Sequence, residues 1–293
     1  MTAGNDHVLA RDLAAEAGQR LLGLRARGGD PDLLRKAGDR LSHEFLTAQL
    51  AARRPGDAVL SEEGADDPAR LAAGRVWIVD PLDGTREFGE PGRTDWAVHV
   101  ALWERGASGS AGLAAGAVAL PAQDRVLSTV PGGGGVRSGG AGQATESGGA
   151  AGVEGGARRG GAGEGEDAGG AAAALGGDGP VRIVVSRTRA PRLVRNISDL
   201  IGADLVPLGS AGAKVAAVIC GEADAYVHAG GFYEWDTAAP VAVARAAGCH
   251  ASRIDGSPLA YNQANLTMPD ILVCRPALAG ALLQAIREVT NAS

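Results

Sequence analysis

Residues 76–88 read Val-Trp-Ile-Val-Asp-Pro-Leu-Asp-Gly-Thr-Arg-Glu-Phe, an apolar strand running into two carboxylates three residues apart. Pro81 fixes the exit from the strand. Asp80 and Asp83 are then expected to converge across a tight turn, with the Leu82 carbonyl left as a third oxygen ligand. Hard oxygen donors of this kind select Mg²⁺ over softer metals. Gly84 permits close approach of the backbone to a ligand, and the amides of Gly84 and Thr85 would face a phosphate if a helix starts there. Taken alone, Asp-x-x-Asp-Gly is also an ordinary turn, because Asp and Gly favour turns for local reasons.

Other residues able to do chemistry are scattered. The run Leu208-Gly209-Ser210-Ala211-Gly212-Ala213-Lys214 ends one strand and opens a helix, so its amides and the Lys214 ammonium could hold an anion, although a plain connection reads the same way. Asp39 falls in mid-helix, where Asp is a poor helix former, and would otherwise be a solvated surface residue. His7, His43, His99, His228 and His250 have no mutual metal or triad spacing and read as surface or core. Tyr226 and Tyr233 are left open as pocket neighbours. Cys220, Cys249 and Cys274 form an odd set in apolar stretches, which reads as reduced, buried thiols of a cytoplasmic protein.

These groups must be positioned by strands and helices that the patterning locates. Apolar residues at helical spacing predict helices over 6–25 and 36–53. Short β-like runs follow at 58–60, 75–79, 95–103, 112–120 and 125–130, close enough in sequence to favour antiparallel pairing. From 181 onward strand and helix alternate: strands 181–186, 205–208, 224–228, 249–254 and 271–274, with helices 191–201, 211–221, 237–247 and one from 276. An α+β half (1–130) and an α/β half (181–293) are therefore expected. Between them, 131–180 holds 21 of the 46 glycines, with Val136, Val153 and Leu175 as its only large apolar side chains. Such a segment cannot offset its ordering entropy by burial and reads as a disordered insertion.

Composition sets further bounds. With 293 residues and 45% hydrophobic content the chain can bury a large core without disulfides, and no apolar run is long enough to span a bilayer. The formal charge of −6 provides no global field for nucleic acid or an anionic membrane. Within 131–180, three arginines face six acidic residues, so an RNA-binding arm is disfavoured as well. A small anionic partner would need a local positive site such as bound metal.

Two more segments appear in order around the Asp80–Asp83 run: Ser61-Glu62-Glu63-Gly64 upstream, and Glu234-Trp235-Asp236-Thr237-Ala238-Ala239 downstream, followed by Ala246-Ala247-Gly248. Together the three segments closely resemble the signature of the inositol monophosphatase superfamily, over nearly all of the chain except 131–180. Within it the chain resembles the CysQ-type 3′(2′),5′-bisphosphate nucleotidases, because Pro-Leu-Asp-Gly-Thr-Arg-Glu-Phe continues unlike the Thr-Asn-Phe common among inositol monophosphatases. Lys214 occupies about the place of a nucleotidase lysine. Pro240 departs from the pattern, replacing a residue that is often glycine.

The resemblance implies a layered αβαβα sandwich. It makes Glu62, Asp80, Asp83 and Asp236 carboxylate ligands of Mg²⁺, with Leu82 as a carbonyl ligand. It also implies that Asp39 pairs with Thr85 to orient water, that Glu63 supports them, and that Gly84, Thr85, Ser210 and Lys214 bind substrate. The implied activity is hydrolysis of the 3′-phosphate of adenosine 3′,5′-bisphosphate or its sulfated relative in sulfur assimilation, with inhibition by Li⁺ and a possible homodimer. The alternatives are an inositol 1-phosphate or fructose 1,6-bisphosphate phosphatase, and a metal-binding protein that keeps the fold without catalysis.

Overall fold

The computed structural model describes residues 4–106, 110–131, 136–137, 179–188 and 190–292. Two helices, α1 (Gly4–Ala26) and α2 (Pro31–Arg53), precede a six-stranded sheet of β1 (Ala58–Ser61), β2 (Arg75–Asp83), β3 (Ala97–Arg105), β4 (Ala111–Leu120), β5 (Arg125–Ser128) and β6 (Val136–Arg137), ordered β1-β2-β3-β4-β5-β6. Only β1–β2 is parallel; the other neighbours pair antiparallel, as the short connections require. A short helix, α3 (Thr85–Gly89), leaves the end of β2.

The second half comprises β7 (Arg182–Ser186), α4 (Arg192–Ile201), β8 (Asp204–Leu208), α5 (Ala211–Ile219), β9 (Ala225–Tyr233), α6 (Glu234–Ala246), β10 (His250–Ser252), β11 (Thr267–Cys274) and α7 (Ala279–Asn291). Its sheet is ordered β10-β11-β9-β7-β8.

The burial pattern explains the layering. On β2, Trp77 and Val79 join α1 and α2 in one core, whereas Val76 and Ile78 face the opposite way into a core shared with α5 and α6. The second sheet meets α5 and α6 through Tyr226 and Val273 and a third core, with α4 and α7, through Val227 and Leu272. The order is thus α1/α2, sheet, α5/α6, sheet, α4/α7: the expected five layers. Strands β2 and β3 are buried on both faces over nearly their whole length because their sheet is covered on both sides.

Several boundaries differ from the sequence reading. Helix α2 starts at Pro31, where the Asp30 carboxylate caps the amides of Asp32 and Leu33 at 3.0 Å. Strand β2 continues past Pro81 to Asp83 by a bulge, and β9 continues through Gly230 and Gly231, both at positive φ. Helix α6 begins at Glu234 rather than 237 and carries Pro240 inside it. Most of 131–180 lies outside the described residues. Val136–Arg137, however, pairs with β5. Replacing 138–178 by a short linker is expected to keep β6 and change stability by only a few kcal/mol, since closure entropy varies slowly with loop length. Denaturant midpoints of the two forms, with kcat/KM, check this; a large loss of either would give the segment a role in the core or the site.

Candidate active site

Asp80 and Asp83 are separated by three, and on a regular strand an odd spacing points two side chains to opposite faces. Here Asp80 pairs with His99 but Asp83 with Ala97, so β2 carries one residue more than β3 across this interval. That bulge resets the phase. Leu82 turns into the α1/α2 core while Asp80 and Asp83 both face α5 and α6. Pro81, with no N–H to give to a ladder, sits where the ladder is broken. The Asp80 carboxylate accepts the Leu82 amide at 3.0 Å, which closes the turn.

Gly84 follows at φ 83°, and a Cβ there would lie 3.0 Å from the Ser210 Cβ and 3.3 Å from the Asp95 carbonyl oxygen. Thr85 starts α3. Its hydroxyl donates to the Leu82 carbonyl at 3.0 Å and reaches Asp39 Oδ1 at 3.4 Å. The Leu82 carbonyl therefore already accepts one bond and has a second lone pair left. Asp39 lies half-buried on α2; burial and the neighbouring Glu63 carboxylate push it up to about 6, against the Thr85 hydroxyl.

The carboxylates perturb one another. Glu62 and Glu63 sit in the turn after β1 and remain exposed, yet the Glu62 carboxyl is pushed up to about 7 by desolvation and by Asp236, Asp83 and Glu63. Asp80 is wholly buried and raised well above the usual range, first by burial and then by Asp83, Glu62 and Asp236. Asp236, in the first turn of α6, is raised to about 6 by burial and Asp83, while its Oδ2 accepts the Tyr233 amide at 2.7 Å. Asp83 is the exception. Burial pushes it up, but His99, the Gly212 amide at 2.7 Å and Lys214 together hold it below the ordinary value.

His99 is the neighbour that sequence reasoning missed. Wholly buried on β3, it places Nε2 3.1 Å from Asp83 Oδ2 and Nδ1 3.2 Å from the Trp235 carbonyl, so each ring nitrogen faces an oxygen acceptor. The donor atoms of Asp80, Asp83 and His99 lie within 4.8 Å of one another. The one readable sign was position: His99 interrupts a run of small and apolar residues on the face of β3 opposite Asp80. Its seat depends on Gly212, where a Cβ would stand 2.2 Å from Nε2.

A cleft of about 330 Å³ opens beside Asp83 and Asp236, lined among others by Gly84, Ser210, Lys214, Tyr226, His228 and Arg187. Ser210 caps α5 by accepting the Ala213 amide at 2.9 Å. Lys214 lines the cleft from α5. It is only 5% exposed, donates to the Gly209 carbonyl, and has Asp83, Glu87, Asp95 and Asp236 as charge neighbours; burial nonetheless lowers its pKa. Tyr226, left open by the sequence, lines the cleft with a buried hydroxyl that has no hydrogen-bond partner among the described residues. The start of α6 is fixed by Glu234, whose wholly buried carboxylate accepts the Asn262 and Gln263 amides at 2.6 and 2.7 Å.

The donor set suits a hard divalent cation. Carboxylates that raise one another when alone are what such a cation would neutralise.

Its family and its relatives make this chain a phosphatase. The chain belongs to the inositol monophosphatase family, whose model matches residues 8–291. It is 46% identical to a 3′-phosphoadenosine 5′-phosphate phosphatase of Mycobacterium leprae, covering 97% of this chain and 94% of the relative. It is 28% identical to the 3′(2′),5′-bisphosphate nucleotidase CysQ of Escherichia coli, over 77% of this chain and 78% of that protein. The fold is shared with inositol monophosphatase II from Staphylococcus aureus, with a TM-score of 0.66 and 21% identity over 94% of this chain and 92% of that one. The family is metal-dependent, and no described helix is long and apolar enough to cross a membrane.

Proposed function

We propose that the chain hydrolyses the 3′-phosphate of adenosine 3′,5′-bisphosphate in a Mg²⁺-dependent reaction. The meeting of Asp83 and Asp236 at one end of the cleft, with Asp80 buried beside Asp83, carries the reading of phosphoester hydrolysis, and the similarity to the mycobacterial relative supports the nucleotide. Glu62, Asp80, Asp83, Asp236 and the Leu82 carbonyl would hold the cation, with Glu63 in support. When bound, Mg²⁺ supplies charge neutralisation at the phosphoryl oxygens and acidifies a bound water. The chain's own part is to orient. Asp39 and Thr85 orient the water that attacks in line, while Ser210 and the amides near Gly84 face the phosphate. A screen of purified protein with Mg²⁺ is expected to give the highest kcat/KM for adenosine 3′,5′-bisphosphate. Equal or higher values for inositol 1-phosphate or fructose 1,6-bisphosphate would replace this assignment with the broader phosphatase.

Lys214→Ala is expected to lower kcat/KM by about tenfold, as for loss of one charge-assisted contact. Because the ammonium lies beside Asp83 and Asp236, the loss should be similar for the bisphosphate and for inositol 1-phosphate. A loss confined to the bisphosphate would return Lys214 to the second phosphate.

Metal binding should also depend on pH. Glu62 at about 7 and Asp236 at about 6 are partly protonated near neutrality without metal, so Mg²⁺ binding must release protons and weaken as pH falls from about 7 to 6. The metal-free protein should show the opposite trend in stability. Carboxyls raised above their unfolded values favour the folded state when protonated, so its Tm should rise as pH falls through that window. Calorimetric titrations in buffers of different ionisation enthalpy measure the protons released; an affinity flat across the window contradicts the prediction.

A further inference from the structure

We propose that Arg187, at the end of β7, is the cation of a second-phosphate subsite, and that His228 beside it receives a hydrogen-bond donor from the sugar or base. This rests on the bisphosphate reading above. A phosphomonoester with one phosphate needs only the carboxylate end of the cleft. The cleft extends further. Along β9 its lining passes from Tyr226, whose hydroxyl feels Asp83 and Asp236, to His228 two residues on, with ring centroids 6.3 Å apart, and then to Phe232 at 4.1 Å from His228. Arg187 and Thr188 face the same space from β7.

Arg187 is held ready rather than spent. Its Nη2 donates to Glu87 Oε1 at 2.8 Å and to Glu90 Oε1 at 2.9 Å, and its Nε to Glu87 at 3.2 Å. Its Nη1 makes no hydrogen bond among the described residues. Glu87 is a buried partner that fixes the guanidinium against α3, whereas Glu90 is 30% exposed and its pair with Arg187 is of the weak, solvent-screened kind. An incoming phosphate can therefore take the place of Glu90 on Nη2 and use Nη1 as well, the fork geometry that favours arginine for phosphate. A lysine point charge, such as the mostly buried Lys214 in the same lining, offers no such fork.

His228 contributes a different group. Its Nε2 lies 2.7 Å from the Gly230 carbonyl and so carries the proton, which leaves Nδ1 as an acceptor. That Nδ1 is buried and has no partner among the described residues. It repels phosphate but suits a hydroxyl or amino hydrogen. A buried acceptor without a partner in a substrate cleft marks where a ligand donor is to come.

The test compares adenosine 3′,5′-bisphosphate with adenosine 3′-monophosphate, which differ only in the second phosphate. Wild type should prefer the bisphosphate. Arg187→Met should lower kcat/KM for the bisphosphate about tenfold or more, mainly through KM, and leave the monophosphate within about twofold, while Arg187→Lys should fall between. Retained monophosphate turnover is the control that the variant is folded. Should leaving Glu87 unpaired unfold Arg187→Met, Glu90→Gln probes the same subsite by removing the competing carboxylate, and should lower KM for the bisphosphate alone. A wild type indifferent to the 5′-phosphate overturns the bisphosphate reading, and the subsite with it. A preference that survives both variants unchanged overturns the subsite alone, as does an equal loss for both substrates in Arg187→Met or Arg187→Lys.

Discussion

Asp83→Asn should lower kcat by about 10²-fold or more while the protein stays folded. The amide is isosteric with the carboxylate, so its oxygen can still accept the Gly212 amide. What disappears is one negative charge among Asp80, Asp236 and Glu62. Removing it takes from His99 and Lys214 the charge that they stabilise, so the Tm of the metal-free protein should fall modestly, and it weakens the hold on a divalent cation, so the Mg²⁺ needed for half-maximal rate should increase. Activity like wild type, or full activity of wild type in excess EDTA, would end the metal-centre reading.

Gly212→Ala should do damage of another kind. The new methyl would meet His99 Nε2 at 2.2 Å, and the Ala97 Cβ and Val118 Cγ1 at 3.0 Å, all in the wholly or nearly wholly buried layer between β3 and α5. Overpacking of this sort costs about 1–3 kcal/mol. Any shift of α5 that relieves it also draws the Gly212 amide from Asp83, so catalysis should fall with stability. Urea midpoints for Gly212→Ala, His99→Ala and the double variant are expected to be strongly non-additive, because His99→Ala vacates the space that the methyl needs. Simple additivity would mean that the backbone at 212 relaxes without touching His99.

The α+β and α/β halves were legible in the sequence because periodicity changes from helix to strand at nearly every boundary; the five layers followed from the resemblance to the family. Boundaries failed where tertiary structure overrode a local rule. Pro81 reads as the end of a strand, but a bulge carries β2 past it; the strand expected over 224–228 runs on through Gly230 and Gly231 to Tyr233. The carboxylate run was readable because Asp, Pro and Gly in close order do little for a core. His99 was not, since a lone histidine in an apolar strand looks like packing until the register places it opposite Asp80. Lys214 was readable as a cation but not as a buried one, and Arg187 gave no sign, because only the fold brings the end of β7 beside α3.

The surplus residue in β2 has a consequence for how this segment can vary. Side chains at 82 can be exchanged at the expense of packing against α2, which is a local and graded loss. Removing or adding one residue between 80 and 83 is different, because a straightened ladder would send Asp83 into the greasy layer under α1 and α2 and leave Asp80 without its companion. Length, more than identity, is the inherited quantity here: homologous chains are expected to exchange 82 among apolar residues yet almost never to gain or lose a residue between the two aspartates.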